Sequence, residues 1–546
     1  MNKEKKLLFF IILIAFCLRF FLLGKNPPGL YWDEVSLGYN AYSILKTARD
    51  EYGELLPYSR FIAFGDYKPP GYIYAAVLPV AIFGLNEFSV RFPSALSGVF
   101  MVIITYYLVK NLFPGKNIFN TNISPAVITS MLLAISPWSL HVSRVAFEAN
   151  LAALFNLMAI FLFILAIKKK QNLILLSSVF FAATLYTFNS NRLLTPLIIF
   201  GLAVIFFKDL NKIKKTAFVA AILFIALVVP LISHLTSREG KLRWHEVNIF
   251  SDLNVILDSN KRISLDGNTF WARKIHHRFL GYTINFFKHY FDHFRGDYLF
   301  ISGDINPRLS VRFVGELYLF ELPFFLAGIY YLISSVKKKS SQLILFWFLV
   351  APIPAATARE TPHALRTLSI LPTPQIISAL GVFIFYTILR SRVKEKVIRI
   401  ISSLGCLLFF LNFAYYLYAY YFLFPKKYLG EWMPSYKSLV KYTSELQNEF
   451  QTIIVTKNYG RPYVYFLFYN QYPPRKFQLE AQRERDWFGF RQVLGFDKYI
   501  FTDDFSKIPS GKTLLVLPPG FAPPGFAKIK TIFEGEYPTF EVFKKE

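Results

Sequence analysis

Two adjacent carboxylates, Asp33 and Glu34, follow the first long apolar run of the chain, residues 7–23. Acids are costly to keep near lipid, so a pair at a membrane–water boundary marks a site more often than a decoration. The same connection delivers Asp66, Tyr67 and Lys68, with Pro69 and Pro70 directly after the lysine. The prolines fix the backbone and remove two donors, which holds Lys68 on a stiff turn. An ammonium presented that way suits a phosphate. A carboxylate that takes or orients an acceptor's proton is what sugar transfer to a hydroxyl, amine or amide requires. Acid and cation on one side of a bilayer therefore suit chemistry on a lipid-linked phosphate. Plainer roles stand beside these. Asp33 could cap the helix that follows Val35, and an interfacial lysine can simply meet lipid headgroups. Spacing alone leaves both pairs of readings open.

Further polar islands interrupt the apolar runs. Arg91 lies just inside the second span, where it should find an acid or a phosphate, or else snorkel to the interface. Arg144 and Glu148 are four residues apart and would share a helical face; Glu148 could instead reach into a cavity as a second carboxylate. Arg192 tops a turn between two apolar runs, where capping of the flanking helices is its plainer role. His276 and His277 are adjacent, so on a helix they point about 100° apart and make a weak metal site by themselves. Arg359, His363 and Arg366 gather several cations in one short turn, a phosphate cradle or a set of caps. No Walker A loop, GxSxG elbow or HExxH occurs, which removes the usual markers of nucleotide-driven transport and of serine or zinc hydrolysis. No cofactor is required by the sequence; a divalent metal stays open, with no ligand cluster to support one.

The elements that must position these residues are membrane helices. The chain of 546 residues is 54% hydrophobic, with mean hydropathy +0.37, above the balance of a soluble domain. Its formal net charge of +26 would ordinarily suggest nucleic acid. Here the excess sits in short clusters between apolar runs, the positive-inside pattern, so nucleic acid is not expected as a partner. Cys17 and Cys406 fall inside apolar runs, which argues against a disulfide framework.

Runs over 7–24, 88–112, 122–139, 148–168, 173–189, 193–208, 216–234, 314–335, 341–357, 367–389 and 398–423 predict a polytopic α-helical membrane protein with about eleven spans. The basic clusters then place the N-terminus in the cytoplasm and the C-terminus outside. The apolar segment 71–85 would break that alternation, and it is short and carries Pro79. It is expected to lie against the outer surface rather than to cross. Residues 1–424 would form the transmembrane catalytic part, with long outer loops 25–87 and 235–313. Residues 425–546 would form a small extracytoplasmic α/β domain, with a helix over 437–450 and strands at 452–456, 498–502 and 513–517. The aromatic, basic stretch 279–294 would be a second surface helix in contact with membrane lipid.

The succession of Trp32-Asp33-Glu34, Lys68-Pro69-Pro70, the block from Gly84 to Leu96 and the Arg144/Glu148 island resembles the GT-C membrane glycosyltransferases. It is similar in particular to the family 39 group of protein O-mannosyltransferases and ArnT-like enzymes. The resemblance implies a GT-C fold, a polyprenyl-phosphate sugar as donor (undecaprenyl or dolichyl), and transfer with inversion on the extracytoplasmic face of the cell membrane. It maps the catalytic carboxylate onto Asp33 with Glu34 beside it, and the donor-phosphate cations onto Lys68 and Arg91, to which Arg366 is added here. Glu148 joins the catalytic candidates. Tyr67, Arg144, Arg192, His276, His277 and His363 are the further substrate-binding candidates. The sugar, hexose or pentose, and the acceptor, whether protein, lipid or glycan, stay open. The competing class is a transporter or flippase for a glycolipid. It would place functional polar residues near mid-membrane, whereas these cluster at helix ends.

Overall fold

The structure is a computed structural model, and it describes residues 3–115, 124–486, 490–506 and 508–545. Residues 122 and 123 of the span expected over 122–139 lie outside the described residues. The chain divides into two compact units, one of residues 1–19, 96–143 and 148–419, the other of 20–95, 144–147 and 420–546.

The first unit is helical. Among the described residues, six helices are long and apolar enough to cross a membrane: Glu87–Leu112, Glu148–Lys168, Lys214–Thr236, Lys339–Ala356, Leu368–Arg392 and Glu395–Lys427, the first and last of which the division cuts. A seventh is added if the bent pair Pro125–Ile135 and Pro137–Ser143 forms one span. The runs at 173–189, 193–208 and 314–335 are helical but shorter, at Leu173–Leu185, Asn191–Ile205 and Leu319–Ser334. The first run is the helix Lys3–Phe20, which ends short of residue 24 and carries Lys3, Glu4, Lys5, Lys6 and Arg19.

The bent pair turns by 52°, and its cause is local. Pro137 has no N–H to give the carbonyl of Leu133. The buried guanidinium of Arg19 supplies the missing donors. It reaches the carbonyls of Leu133 at 3.3 Å and Ala134 at 2.9 Å, and Ser139 Oγ at 2.8 Å. Satisfying a broken helix from another helix is what an apolar surrounding demands. A Cβ on Gly98 would sit 2.2 Å from Ser143 Oγ and 2.4 Å from Arg19 Nε, so a larger residue there would have to displace these side chains.

Two further glycines set the approach of the helices Leu322–Ser334 and Thr373–Arg392. A Cβ on Gly328 would meet the carbonyl oxygen of Ile377 at 1.9 Å, and one on Gly381 that of Phe324 at 1.7 Å. Small residues that let helix backbones touch are the usual means of association where lipid removes the hydrophobic drive.

The second unit carries the first connection and the C-terminal sheet. After the helix Trp32–Thr47, strands β1 (Phe61–Ala63) and β2 (Asp66–Lys68) form an antiparallel hairpin in which Phe61 faces Lys68. The segment expected over 71–85 is the helix Gly71–Phe83. Its 13 residues extend about 20 Å, short of a bilayer's apolar core. Tyr72, Ile73, Ala76 and Val80 are buried, while Leu78 and Ile82 are exposed.

Residues 420–546 add seven strands: β3 (Thr452–Val455), β4 (Gln482–Arg485), β5 (Arg491–Phe496), β6 (Tyr499–Phe501), β7 (Thr513–Leu517), β8 (Ala527–Glu534) and β9 (Tyr537–Lys545). They join in the order β4-β5-β6-β3-β7-β9-β8. Only the central β6-β3-β7 run is parallel, and it is the apolar part, as two-sided burial requires. The helix expected over 437–450 is Ser435–Leu446, and the three expected strands are β3, β6 and β7.

Gly381→Leu should push the two helices apart. Overpacking of this kind costs about 1–3 kcal/mol, visible as a lower unfolding midpoint of the detergent-purified protein. An unchanged midpoint would disprove the glycine contact.

Candidate active site

The acid pair splits into two environments. Both residues lie in the first turn of the helix Trp32–Thr47, where the helix dipole favours acids. Tyr31 occupies the N-cap position, so Asp33 is not the cap. Glu34 meets the capping reading in part, because its Oε2 accepts the backbone N–H of Tyr31 at 3.4 Å.

Glu34 is fully buried and faces Arg91, which is equally buried. Arg91 Nε donates to Oε1 at 2.9 Å and Nη2 to Oε2 at 3.0 Å, a two-pronged pair. The rest of the guanidinium is used on backbone. Nη1 reaches the carbonyls of Pro27 at 2.8 Å and Leu23 at 3.2 Å, and Nη2 that of Gly29 at 2.5 Å. Glu34 Oε1 also accepts the N–H of Ala146 at 2.9 Å. The pair thus pins the chain after the first helix, the Trp32–Thr47 helix and residues 144–147 together.

Asp33 points elsewhere. Its Oδ1 lies 2.5 Å from Lys68 Nζ, and each side chain keeps about one-seventh of its surface accessible (14% and 16%). The lysine is delivered by β2, at the end of the hairpin, and its ammonium lies 5.2 Å from the centre of the Phe64 ring. Tyr67, one residue before it, is buried, with Arg60 5.8 Å from its ring centre. Arg144 is buried in the same unit. Its Nε donates to Tyr420 Oη at 3.0 Å and its Nη2 to the carbonyl of Asn26 at 3.0 Å.

The remaining candidates belong to the helical unit. Glu148 begins the helix Glu148–Lys168 and is buried. The helix before it ends at Ser143, so Arg144 and Glu148 do not share one continuous helical face as their spacing suggested. Arg192 Nε donates to the carbonyl of Leu185 at 3.2 Å, closing the turn that ends one helix. His276 pairs with Asp266 at 2.6 Å, and His277 Nδ1 accepts the N–H of Phe279 as the cap of the helix Arg278–Asp292. The neighbours therefore serve different partners. Among the described residues, no group of three or more His, Cys, Asp or Glu could hold a metal ion.

His363 and Arg366 lie in a cross-linked loop. The N–H of Arg366 donates to His363 Nδ1 at 3.3 Å, and the N–H of His363 to His293 Nε2 at 3.1 Å. The N–H of Ala364 donates to Asp304 Oδ2 at 2.6 Å. Burial pushes the Asp304 carboxyl up to about 6 and the His293 imidazole down to about 4. A neutral His293 is what accepting that N–H needs.

The sequence reading passed over Glu51, a fully buried carboxyl in the first connection. Its signal was a second adjacent acid pair, Asp50-Glu51, in the same loop as the first.

The chain has a GT-C fold, as its likeness to solved structures shows. ArnT from Cupriavidus metallidurans in the apo state aligns over 99% of this chain and 98% of its own, with TM-score 0.56 and 10% identity. The same protein bound to undecaprenyl phosphate aligns over 98% and 97%, with TM-score 0.54 and 11% identity. At that identity the likeness is one of fold. Residues 67–234 match the family described as dolichyl-phosphate-mannose-protein mannosyltransferase. The putative mannosyltransferase YkcB of Bacillus subtilis (strain 168) is 27% identical over 234 residues, 42% of this chain. The chain spans 31% of the length of that relative.

Arg91→Met should leave Glu34 buried without its partner, a change that costs about 3–5 kcal/mol. Arg91→Lys should recover only part, since an ammonium cannot match the planar fork. Chemical denaturation of the purified variants measures both, and equal stability of Arg91→Met and the parent protein would refute the anchoring role.

Proposed function

We propose that this chain transfers a sugar, a hexose or a pentose, from a polyprenyl-phosphate-linked donor to an acceptor in protein, lipid or glycan, with inversion. The reaction would take place on the extracytoplasmic face of the cell membrane. The observation that carries the reading is the Asp33–Lys68 pair, partly accessible and set on a frame that the buried Glu34–Arg91 pair fixes. The GT-C fold and the mannosyltransferase family match of residues 67–234 support it.

Asp33 acts as general base. As the acceptor oxygen forms its bond to the anomeric carbon, its proton passes to the Asp33 carboxylate, and the bond from that carbon to the phosphate oxygen breaks. The phosphate leaves with the electron pair. Lys68 turns from Asp33 to the departing anion and neutralises it, and such stabilisation of developing charge is commonly the largest catalytic contribution. Arg91 serves this reading as a positioning residue rather than as a phosphate ligand, because its donors are already engaged by Glu34 and three carbonyls. Arg366 and Glu148 remain proposed partners of donor and acceptor.

The test is release of polyprenyl phosphate from a panel of radiolabelled undecaprenyl- and dolichyl-phosphate hexoses and pentoses by the purified protein. Asp33→Asn should abolish release while donor binding persists, and Lys68→Met should lower kcat about 100–1000-fold, as loss of one charge-stabilising donor does. Transbilayer movement of the donor in vesicles with no chemical turnover would sink the reading in favour of a flippase.

A further inference from the structure

We propose that Glu51 and Arg461 are positioning residues for Lys68: between them they hold both backbone polar groups of Phe64, and so fix the β1–β2 turn from which Lys68 reaches Asp33. The proposal rests on the reading of Asp33 and Lys68 as the transferring pair.

The turn is made of two consecutive residues with positive φ, Phe64 at 43° and Gly65 at 85°. Glycine adopts that backbone freely; a phenylalanine keeps it only where its surroundings over-determine it. Those surroundings are specific. The N–H of Phe64 donates to Glu51 Oε1 at 2.8 Å, and its carbonyl accepts from Arg461 Nη1 at 2.5 Å. Gly65 is equally constrained, since a Cβ there would lie 1.8 Å from the carbonyl oxygen of Arg491. The Arg461 guanidinium and the Lys68 ammonium each lie 5.2 Å from the centre of the Phe64 ring. The residue that carries the turn's strain is therefore also the platform for the cation.

Glu51 is itself held by three bonds from two residues. Its Oε1 accepts from Tyr463 Oη at 2.9 Å, its Oε2 from Asn40 Nδ2 at 3.0 Å, and its own N–H donates to Asn40 Oδ1 at 3.1 Å. Every contact to the carboxyl is one it accepts, the pattern of an ionised group. The turn just before Lys68 thus joins the Trp32–Thr47 helix, through Asn40, to the C-terminal region, through Arg461, Tyr463 and Arg491.

A buried acid is a costly way to hold a turn, and its cost shows in its titration. Burial pushes the Glu51 carboxyl up to about 7, with Asp50 raising it further and Arg483 lowering it. The phenols of Tyr39, Tyr52 and Tyr463 face it as well. The folded value lies above the ordinary 4.5, so the fold binds this proton more tightly than the unfolded chain does. The stability it contributes is full below about 4.5 and is lost as pH rises through about 7. The ionised form, which grips Phe64 by a charge-assisted bond, is the less stable one. Grip and stability run in opposite directions with pH, and a merely structural acid would not separate them.

The test compares the full-length parent protein with Glu51→Gln and Arg461→Met in detergent from pH 6 to 8. Three quantities are followed: amide hydrogen-exchange protection of residues 61–68, Tm, and release of undecaprenyl phosphate from the labelled donors. In the parent, opening the turn leaves Glu51 buried and removes the Phe64 N–H that lowers its pKa, so protection of 61–68, corrected for intrinsic exchange, should rise about tenfold over this range as Glu51 ionises. In Glu51→Gln it should stay low and flat, while Tm at pH 8 is no lower than the parent's. Both variants should lose about 10–100-fold in kcat, the scale of a small misplacement, with KM for the donor nearly unchanged, and Arg461→Lys should restore part of it. Protection of 61–68 in Glu51→Gln that follows the parent at every pH would overturn the proposal. So would a loss of turnover matched by an equal fall in Tm and a general rise in exchange. Should the parent release no polyprenyl phosphate from any donor, the transferase reading fails on its own, and the exchange comparison still decides whether Glu51 holds the turn.

Discussion

The buried pair of Glu34 and Arg91 is the interaction on which the second unit's site depends. Removing both charges from water carries a desolvation cost that their attraction alone does not reliably offset. What makes the arrangement tenable is complete satisfaction. The carboxylate takes two guanidinium bonds and two backbone N–H groups, and the guanidinium adds three carbonyls. The cost is returned as geometry. Segments 23–29, 31–34, 91 and 146 are locked to one another by bonds that no apolar pair could make. Residues 144–147 belong with this unit although the helices on either side of them belong to the other.

That lock is what separates the roles of two neighbours identical in charge. Successive residues on a helix point about 100° apart, so fixing Glu34 inward turns Asp33 toward Lys68 and solvent. In the proposed transfer the base must be reachable by its acceptor, and a buried one would be neither accessible nor free of its partner. The same logic governs the hairpin. A short β-ribbon is a weak element by itself, and Lys68 at its end would otherwise sample many positions. Its turn is held at Phe64 by Glu51, in the same connection, and by Arg461, far along the chain, which in the proposed transfer would leave the cation little to reorganise.

Much of this was legible in the residues. Trp32-Asp33-Glu34 and Lys68-Pro69-Pro70 marked two charges that the structure pairs, Asp33 and Lys68, and the parallel strands β3, β6 and β7 announced themselves as short apolar runs. The strands β4, β5, β8 and β9 did not. Gln482–Arg485 is wholly polar and gives no strand signal, and Ala527–Glu534 is exposed along much of its length and carries Lys528 and Lys530, as an edge strand does. Arg91 was legible as a charge in need of a partner, but which partner it took could not be read. Glu34 and a phosphate satisfy the same rule, and only geometry shows that the guanidinium's donors are already in use. Glu51 was hidden for a different reason. Its partners Asn40, Phe64 and Tyr463 lie up to 412 positions away, and no local pattern encodes such a meeting.

Arg19 shows the same principle at work in the helical unit, and why charge inside an apolar run need not mean chemistry. The break at Pro137 leaves two buried carbonyls open, each of which would be costly unmet. A lysine could reach one of them. A guanidinium, with five donors in a plane, reaches both and Ser139 besides. Arg19 and Arg91 are thus the same solution applied to two different faults in the backbone: a planar cation spends its donors on carbonyls that regular structure has left open. Lys68, with a compact charge on a flexible stem, pairs instead with the Asp33 carboxylate.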